Sequence, residues 1–255
     1  DTRLALRRLA AFWRSRFVLP VIAVTGSNGK TTVKEMLAAI LRQVAAESGV
    51  LATAGNLNND IGVPLTLLRL DAGHRYAVIE MGMNHLAEIA YLSRMARPTV
   101  ALINNAGTAH IGELGSVDAV ARAKGEIFEG LEETGTAIIN SDDAFADYWR
   151  GLARGRPVVD FGLERKAAVC ARYEMTVVAS LVTFRTPREQ FVAMLGLPGL
   201  HNIRNALAAV ACAYALDIPA AAIAAGLASC AGVKSRLQRK RHPSGALVID
   251  DTYNA

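Results

Sequence analysis

The sequence predicts an α/β protein: a mostly parallel, P-loop-type sheet with helices on both faces, plus a small antiparallel β appendage. Three observations carry this. A short apolar run, Val21-Ile-Ala-Val24, leads through a glycine turn into apolar positions at helical spacing (Val33, Met36, Leu37, Ile40, Leu41, Val44). Short apolar runs then alternate with helical patterns as far as Phe161, as βαβ units with buried parallel strands require. After Gly162 the texture changes to alternating and β-branched segments with no helix between them.

Taken in order, residues 4–17 place Leu6, Leu9, Trp13 and Phe17 on one helical face with arginines around the rest. Residues 1–20 are therefore read as a linker or docking helix rather than a membrane-surface helix. The run at 21–24 is a strand, and Thr25-Gly-Ser-Asn-Gly-Lys-Thr-Thr32 opens the helix after it. Residues 76–81, 99–103, 136–139 and 158–161 read as further strands, with helices at 85–95, 116–131 and 143–152. Segments 168–185 and 190–195 form the appendage. Helical patterning returns over 202–216 and 220–228, both rich in alanine, and 246–250 is a last strand. Residues 21–255 are expected to form one domain.

With 52% apolar and 20% charged residues in 255, the chain is neither disordered nor fibrous. A chain of this size buries roughly 70–75% of its unfolded surface and needs no disulfides. Cys170, Cys212 and Cys230 are odd in number and lack CxxC spacing. That argues against a cysteine metal site and for a reducing, cytoplasmic compartment. No run of 18 apolar residues is present, so no membrane span is expected. The first residues lack both Met and an apolar core, so they do not read as a signal peptide, and both ends read as cut from something longer. The net charge of +5 is concentrated in 1–20 and 234–242, leaving the rest of the chain net acidic. A nucleic-acid-binding protein spreads a basic face with stacking aromatics over its body, so no nucleic-acid partner is expected.

Gly26-Ser-Asn-Gly29-Lys30-Thr31 carries the strongest chemical signal. Backbone N–H groups of a glycine turn at a helix N-terminus form an anion cradle that the helix dipole reinforces. A lysine there reaches terminal phosphates, and a following hydroxyl binds Mg²⁺. Only Ser27 and Asn28 separate the two glycines, where the usual P-loop has four residues. Glu80 ends an apolar run, at the strand end where open α/β sheets gather ligands. His110 follows another such run in a polar loop, where a lone histidine is more often structural than metal-binding. Lys124, in mid-helix, reads by itself as a solvated surface lysine. Asn202 reads as a helix N-cap, and Asn205 shares its face; together they are also suited to an adenine edge. The tract 234–241 is open between a solvated strand edge, a nucleic-acid patch and a source of one phosphate-clamping arginine. Asp250 and Asp251 stand at the last strand's end, where an acid accepts hydrogen bonds from a ribose.

Together these segments resemble the Mur ligase family, the ATP-dependent amide-forming enzymes of peptidoglycan synthesis and their folate and cyanophycin relatives. The matching pieces are TGSNGKTT (25–32), EMG at Glu80, NNAGTAH ending at His110, AKGEIF (123–128), GLHNIRNALAA (199–209), SRLQ (235–238) and IDDTYNA (249–255). They run in family order over nearly the whole chain. GNLNNDIGVPLTLL (55–68) and EMGMNHLAEI (80–89) resemble the member that joins D-alanyl-D-alanine to UDP-N-acetylmuramoyl-tripeptide.

The resemblance implies that 21–255 is a central ATP-binding domain, without the N-terminal UDP-binding and C-terminal Rossmann-like neighbours that family members carry. It implies that Gly26, Ser27, Asn28, Gly29, Lys30, Thr31 and Thr32 hold the ATP phosphates, with Lys30 on the γ-phosphate. Thr31 and Glu80 would take a first Mg²⁺; His110 and a carbamylated Lys124 would take a second. Lys30, Glu80, His110 and Lys124 would form the catalytic set. Asn202 and Asn205 would contact adenine, Arg236 the phosphates and Asp251 the ribose. Thr53, Asn56, Asn58 and Asn59 would lie near the muramoyl-peptide. The protein is expected to be a monomer, and this segment alone to bind Mg-ATP weakly and ligate nothing. Two rivals remain: a relative adding a single amino acid, and a P-loop switch module with no ligation chemistry. GNLNND argues against the first. A second metal site with a modifiable lysine argues against the second.

Overall fold

A computed structural model describes residues 1–109, 111–230, 238–241, 244–245, 247–250 and 252. Six parallel strands form the central sheet: β1 (Val21–Thr25), β2 (Val50–Ala52), β3 (Tyr76–Glu80), β4 (Val100–Ile103), β5 (Thr136–Asn140) and β6 (Val158–Phe161). Their order is β2-β3-β1-β4-β5-β6. Successive strand residues point to opposite faces, and the core divides accordingly. Ile22, Val24, Val78, Leu102 and Ile138 face one hydrophobic layer; Val21, Ala23, Ile79, Ile103 and Ile139 face the other.

The helices, in chain order, are α1 (Thr2–Arg14), α2 (Lys30–Ala45), α3 (Gly62–Leu67), α4 (Glu88–Ala96), α5 (Ile111–Leu114), α6 (Val117–Gly125), α7 (Ala146–Leu152), α8 (Leu200–Ala215) and α9 (Ala220–Ser229). Helices α2, α8 and α9 cover the first face; α1, α3, α4, α6 and α7 contribute to the second. The alanine-rich composition of α8 and α9 follows from close packing. A Cβ at Gly226 of α9 would overlap the backbone of Ile40 in α2, so only a residue without one lets the two helices approach this closely.

The appendage is β7 (Cys170–Met175), β8 (Ser180–Arg185) and β9 (Gln190–Leu195), paired antiparallel in that order. Val182, Phe184 and Leu195 join the first core layer. The last expected strand is β11 (Leu247–Asp250), which pairs antiparallel with β10 (Gln238–Arg241). The end of the basic tract is thus strand.

The expected helices at 85–95, 116–131 and 143–152 are each shorter than their apolar patterns. Before α4, the Glu88 carboxylate accepts the N–H groups of Asn84 and His85, and Ala87 adopts a left-handed backbone (φ +67°). Helix α6 ends at Gly125 and continues as a 3-10 turn, Glu126–Glu129. Asp143 stays outside α7 because its carboxylate accepts N–H groups from Ala106 and Phe145. Strand β2 and helix α3 have no counterpart in the sequence reading. Three and six residues are too short to show a period, and α3 carries a proline.

Helix α1 packs on the second face through part of the expected stripe: Trp13, and Phe17 just after the helix, pack against that core. Leu9 is 54% exposed, while Ala10 and Arg14 are buried. The Arg14 guanidinium anchors the end of the helix. It donates to the carbonyls of Ala96 (2.8 Å), Phe17 (2.7 Å) and Arg97 (3.3 Å), satisfying the C-terminal end of α4. Arg3 and Arg7 both reach Asp60, and Trp13 Nε1 donates to Leu70 O.

Arg14→Met removes the donor from these carbonyls, the one at Ala96 buried and the other two part-buried, and should lower the unfolding free energy by about 2–3 kcal/mol. Urea unfolding followed by circular dichroism measures this. An unchanged midpoint would show that α1 is not held by Arg14.

Candidate active site

In this strand order, the connections from β1 to β2 and β3 stay on one side, and the connection from β3 to β4 crosses to the other. The C-terminal ends of β1, β3 and β4 therefore open on the switch point where doubly wound sheets bind ligands. Each end delivers one element: the glycine turn after β1, Glu80 at the end of β3, and Asn104-Asn105 after β4.

The glycine turn is gripped by the β4 loop. Asn105 accepts the Ser27 N–H at its carbonyl (3.0 Å) and the Asn28 N–H at Oδ1 (2.9 Å). Asn104 and Asn105 both donate through Nδ2 to the Asn28 carbonyl, at 3.0 and 3.1 Å. Gly29, with φ +79°, directly precedes α2; a Cβ there would collide with Asn205 Oδ1 and lie 2.7 Å from Asn104 Nδ2. Lys30 Nζ donates back to the carbonyls of Gly26 (2.7 Å) and Ser27 (3.3 Å), which keeps its charge inside the turn. Thr31 and Thr32 follow in the first turn of α2, both largely buried.

Asn202 and Asn205 meet this loop from α8. Asn205 Oδ1 accepts from Asn104 Nδ2 (3.1 Å), and Asn205 Nδ2 donates to Asn202 Oδ1 (3.4 Å). Asn202 is not the N-cap: Gly199 is, with φ +96°, and Asn202 Nδ2 instead donates to the Pro198 carbonyl (2.8 Å). The two asparagines line a cavity of about 780 Å³ together with Gly29, Thr32, Asn104 and Asn140, within the size range of small-molecule sites. Asp142 and Asp143 also line it, and the sequence reading missed them. They follow the apolar run of β5, at a strand end like that of Glu80. Asp142 accepts the N–H groups of Leu163, Glu164 and Arg165, and so shapes the wall.

Glu80 is 1% exposed. Its N–H donates to Thr53 Oγ1 (3.0 Å), and its Oε1 accepts from Asn58 Nδ2 (2.7 Å). Its Oε2 is buried with no hydrogen-bond partner among the described residues, an arrangement that calls for a cation. The hydroxyl of Thr31 and this carboxylate oxygen are hard donors that suit Mg²⁺, which takes few protein ligands beside phosphate oxygens and water. Among the described residues no group of three His, Cys, Asp or Glu side chains forms a metal centre of the all-protein kind.

Lys124 corrects its sequence reading. Far from solvated, it is 2% exposed. Burial, with the nearby charge of Lys30 adding to it, pushes its amine down to about 7.

Of the four residues expected near the peptide substrate, Thr53 and Asn58 converge on Glu80. Asn56 and Asn59 do not. Asn56 is exposed, and Asn59 Oδ1 accepts the N–H groups of Ile61 and Gly62 at the start of α3. His110, Arg236 and Asp251 lie outside the described residues.

Residues 24–213 match the Mur ligase middle domain. The whole chain aligns with the UDP-N-acetylmuramoyl-tripeptide–D-alanyl-D-alanine ligase of Escherichia coli (strain K12) at 46% identity, and with the Bacillus subtilis (strain 168) protein of the same name at 36%. It superposes over its full length on MurF from Acinetobacter baumannii (TM-score 0.94, 44% identity) and on the MurF ligase from Thermotoga maritima in complex with ADP (TM-score 0.85, 28% identity). The chain spans about half the length of these relatives: 56% and 54% of the two sequences, 55% and 58% of the two structures.

The lowered amine of Lys124 has a consequence for stability. Between about pH 7 and the ordinary lysine range, the unfolded chain holds a proton that the folded chain has released, so stability rises with pH across that window. Below pH 7 the cost of burying the charged amine is fully present. Urea unfolding at pH 6.5 and 9 should show the parent gaining stability relative to Lys124→Met as pH rises. Parallel curves for the two proteins would contradict the burial of an ionisable amine.

Proposed function

Since this chain belongs to the Mur ligase family, we propose that it is the central ATP-binding domain of an enzyme adding D-alanyl-D-alanine to UDP-N-acetylmuramoyl-tripeptide, a step in making peptidoglycan precursors. Residues 21–255 are read as that domain and 1–20 as a helix docked on it. The observation that carries the reading is Glu80: a carboxylate buried at the switch point, beside a phosphate-binding turn, with one oxygen left for a cation. A sheet serving only to bind nucleotide has no need of a buried lysine with a lowered amine nearby. The names of the aligned relatives supply the substrates.

On this reading the turn from Gly26 to Thr32 binds the phosphates, and Lys30 exchanges its carbonyl partners for γ-phosphate oxygens. Asn202 and Asn205 receive the adenine, with Arg236 and Asp251 assigned to phosphate and ribose from the motif alone. Thr31 and Glu80 would hold one Mg²⁺, and His110 with a carbamylated Lys124 a second; bound there, the ions supply the positive charge that lets an anionic nucleophile approach a polyanion. The tripeptide's terminal carboxylate attacks the γ-phosphorus and ADP leaves, giving an acyl phosphate. The amine of D-alanyl-D-alanine then adds to the acyl carbon, and the tetrahedral intermediate expels phosphate. Lys30 neutralises charge in the first of these steps. Thr53 and Asn58 hold Glu80 in place beside the peptide substrate. No helix among the described residues is long and apolar enough to cross a membrane; the two nucleotide substrates suit a cytoplasmic enzyme, proposed to act as a monomer.

Phosphate release from Mg-ATP by the protein carrying this chain tests the assignment. Release should require both the UDP-linked tripeptide and D-alanyl-D-alanine, and Lys30→Ala should reduce it by about 10²-fold or more. Release with a single amino acid in place of the dipeptide would move the enzyme elsewhere in the family. Release independent of every muramoyl substrate would remove the ligase reading.

A further inference from the structure

Lys34 of α2 is fully buried, and none of the chemistry above uses it. An ammonium group at zero exposure is costly unless it is paired and hydrogen-bonded. Lys34 Nζ donates to the carbonyl of Thr53 (2.7 Å) and pairs with Glu35 Oε1 (2.7 Å), whose own side chain is 36% exposed. If the position only had to be filled, a methionine would fill it without that desolvation cost.

What Lys34 holds is the start of a connected run. Thr53 directly follows β2 and is itself buried. Its N–H donates to the Val78 carbonyl (3.0 Å), and its Oγ1 accepts the Glu80 N–H (3.0 Å). Glu80 Oε1 accepts from Asn58 Nδ2, and the Asn58 carbonyl accepts the Gly82 N–H (2.8 Å). At the other end, Lys34 lies one helical turn beyond Lys30, on the helix whose first turn belongs to the phosphate loop. The run therefore joins the phosphate-loop helix, the carboxylate with the unpartnered oxygen, and the segment 53–58.

We propose that Lys34 is a positioning residue. By holding the Thr53 carbonyl it fixes the hydroxyl that orients Glu80, and so sets Glu80 and segment 53–58 relative to the phosphate loop. The proposal deepens the ligase reading and depends on it only for its kinetic arm.

The test compares Lys34→Met, Thr53→Val and the double variant with the parent, each in the protein carrying this chain. In Lys34→Met, amide hydrogen exchange at 53–58 and at Glu80 should accelerate roughly tenfold or more while β1 and the body of α2 keep their protection. ADP affinity should stay within about twofold, whereas kcat falls roughly tenfold or more with little change in the KM for ATP. Thr53→Val should give the same local acceleration at Glu80 even if Lys34→Met does not fold. The double variant should lose no more kcat than the worse single one, because the two residues act through one path.

Unchanged exchange at Glu80 would overturn the proposal. So would acceleration spread evenly through β1 and α2, which would make Lys34 a structural lysine only. A raised KM for ATP at unchanged kcat would overturn it as well, by placing the effect on nucleotide binding. If the parent releases no phosphate with any muramoyl substrate, the ligase reading fails, and local against uniform exchange still decides for or against Lys34.

Discussion

Moving an ionised carboxylate out of water is unfavourable by several kcal/mol unless hydrogen bonds or a cation replace the lost hydration. Glu80 is in that position, at the end of β3 and almost wholly buried, with one oxygen on Asn58 and the other without a hydrogen-bond partner among the described residues. Much of the surrounding structure answers to this constraint. Thr53 fixes the Glu80 backbone, Lys34 fixes Thr53, and the glycine turn beside it is clamped by Asn104 and Asn105. On the cationic side, Lys30 and Lys124 lie near enough for the charge of one to depress the amine of the other. On the proposed reading, a polyanion with its metal would relieve both problems together: it would give Glu80 a counter-charge and screen the two amines from each other.

The frame that holds these groups is tight. Gly29 has no room for a Cβ between the asparagines of β4 and α8, and Gly226 has none against α2. Helix α2 is thus pressed between the sheet, α8 and α9, and its N-terminal turn has little freedom to shift. Interiors packed to this density transmit small displacements, so a change at Lys34 or Asn205 is felt at the phosphate loop.

The parallel sheet was legible because its strands are buried on both faces and read as unbroken apolar runs: Val-Ile-Ala-Val at 21–24, Ala-Val-Ile at 77–79. The phosphate loop and Glu80 were legible because each follows such a run directly. What escaped did so for physical reasons. Strand β2 and helix α3 are too short for a repeating period to show. Lys124 sits in a helix of mixed polarity, and only the tertiary fold decides that its face turns inward. Lys34 is one lysine among the polar residues of an amphipathic helix, with nothing local to show that it is buried. Asn202 has the side chain of a cap, but Gly199 performs that role, because a glycine with positive φ ends the preceding loop before Asn202 is reached. In the α1 stripe Trp13 and Phe17 pack on the core as expected, but Leu9 does not, and the burial of Arg14 through its hydrogen bonds to backbone carbonyls has no apolar signal to show it.

Anomalous diffraction from crystals of the protein carrying this chain, grown with Mn²⁺ and a non-hydrolysable ATP analogue, tests the central claim most directly. The expected result is an anomalous peak about 2.1–2.2 Å from Glu80 Oε2, with Thr31 and a phosphate oxygen in the same coordination sphere. A nucleotide bound with its metal elsewhere, and Glu80 Oε2 left as it is or hydrogen-bonded to protein, would contradict it.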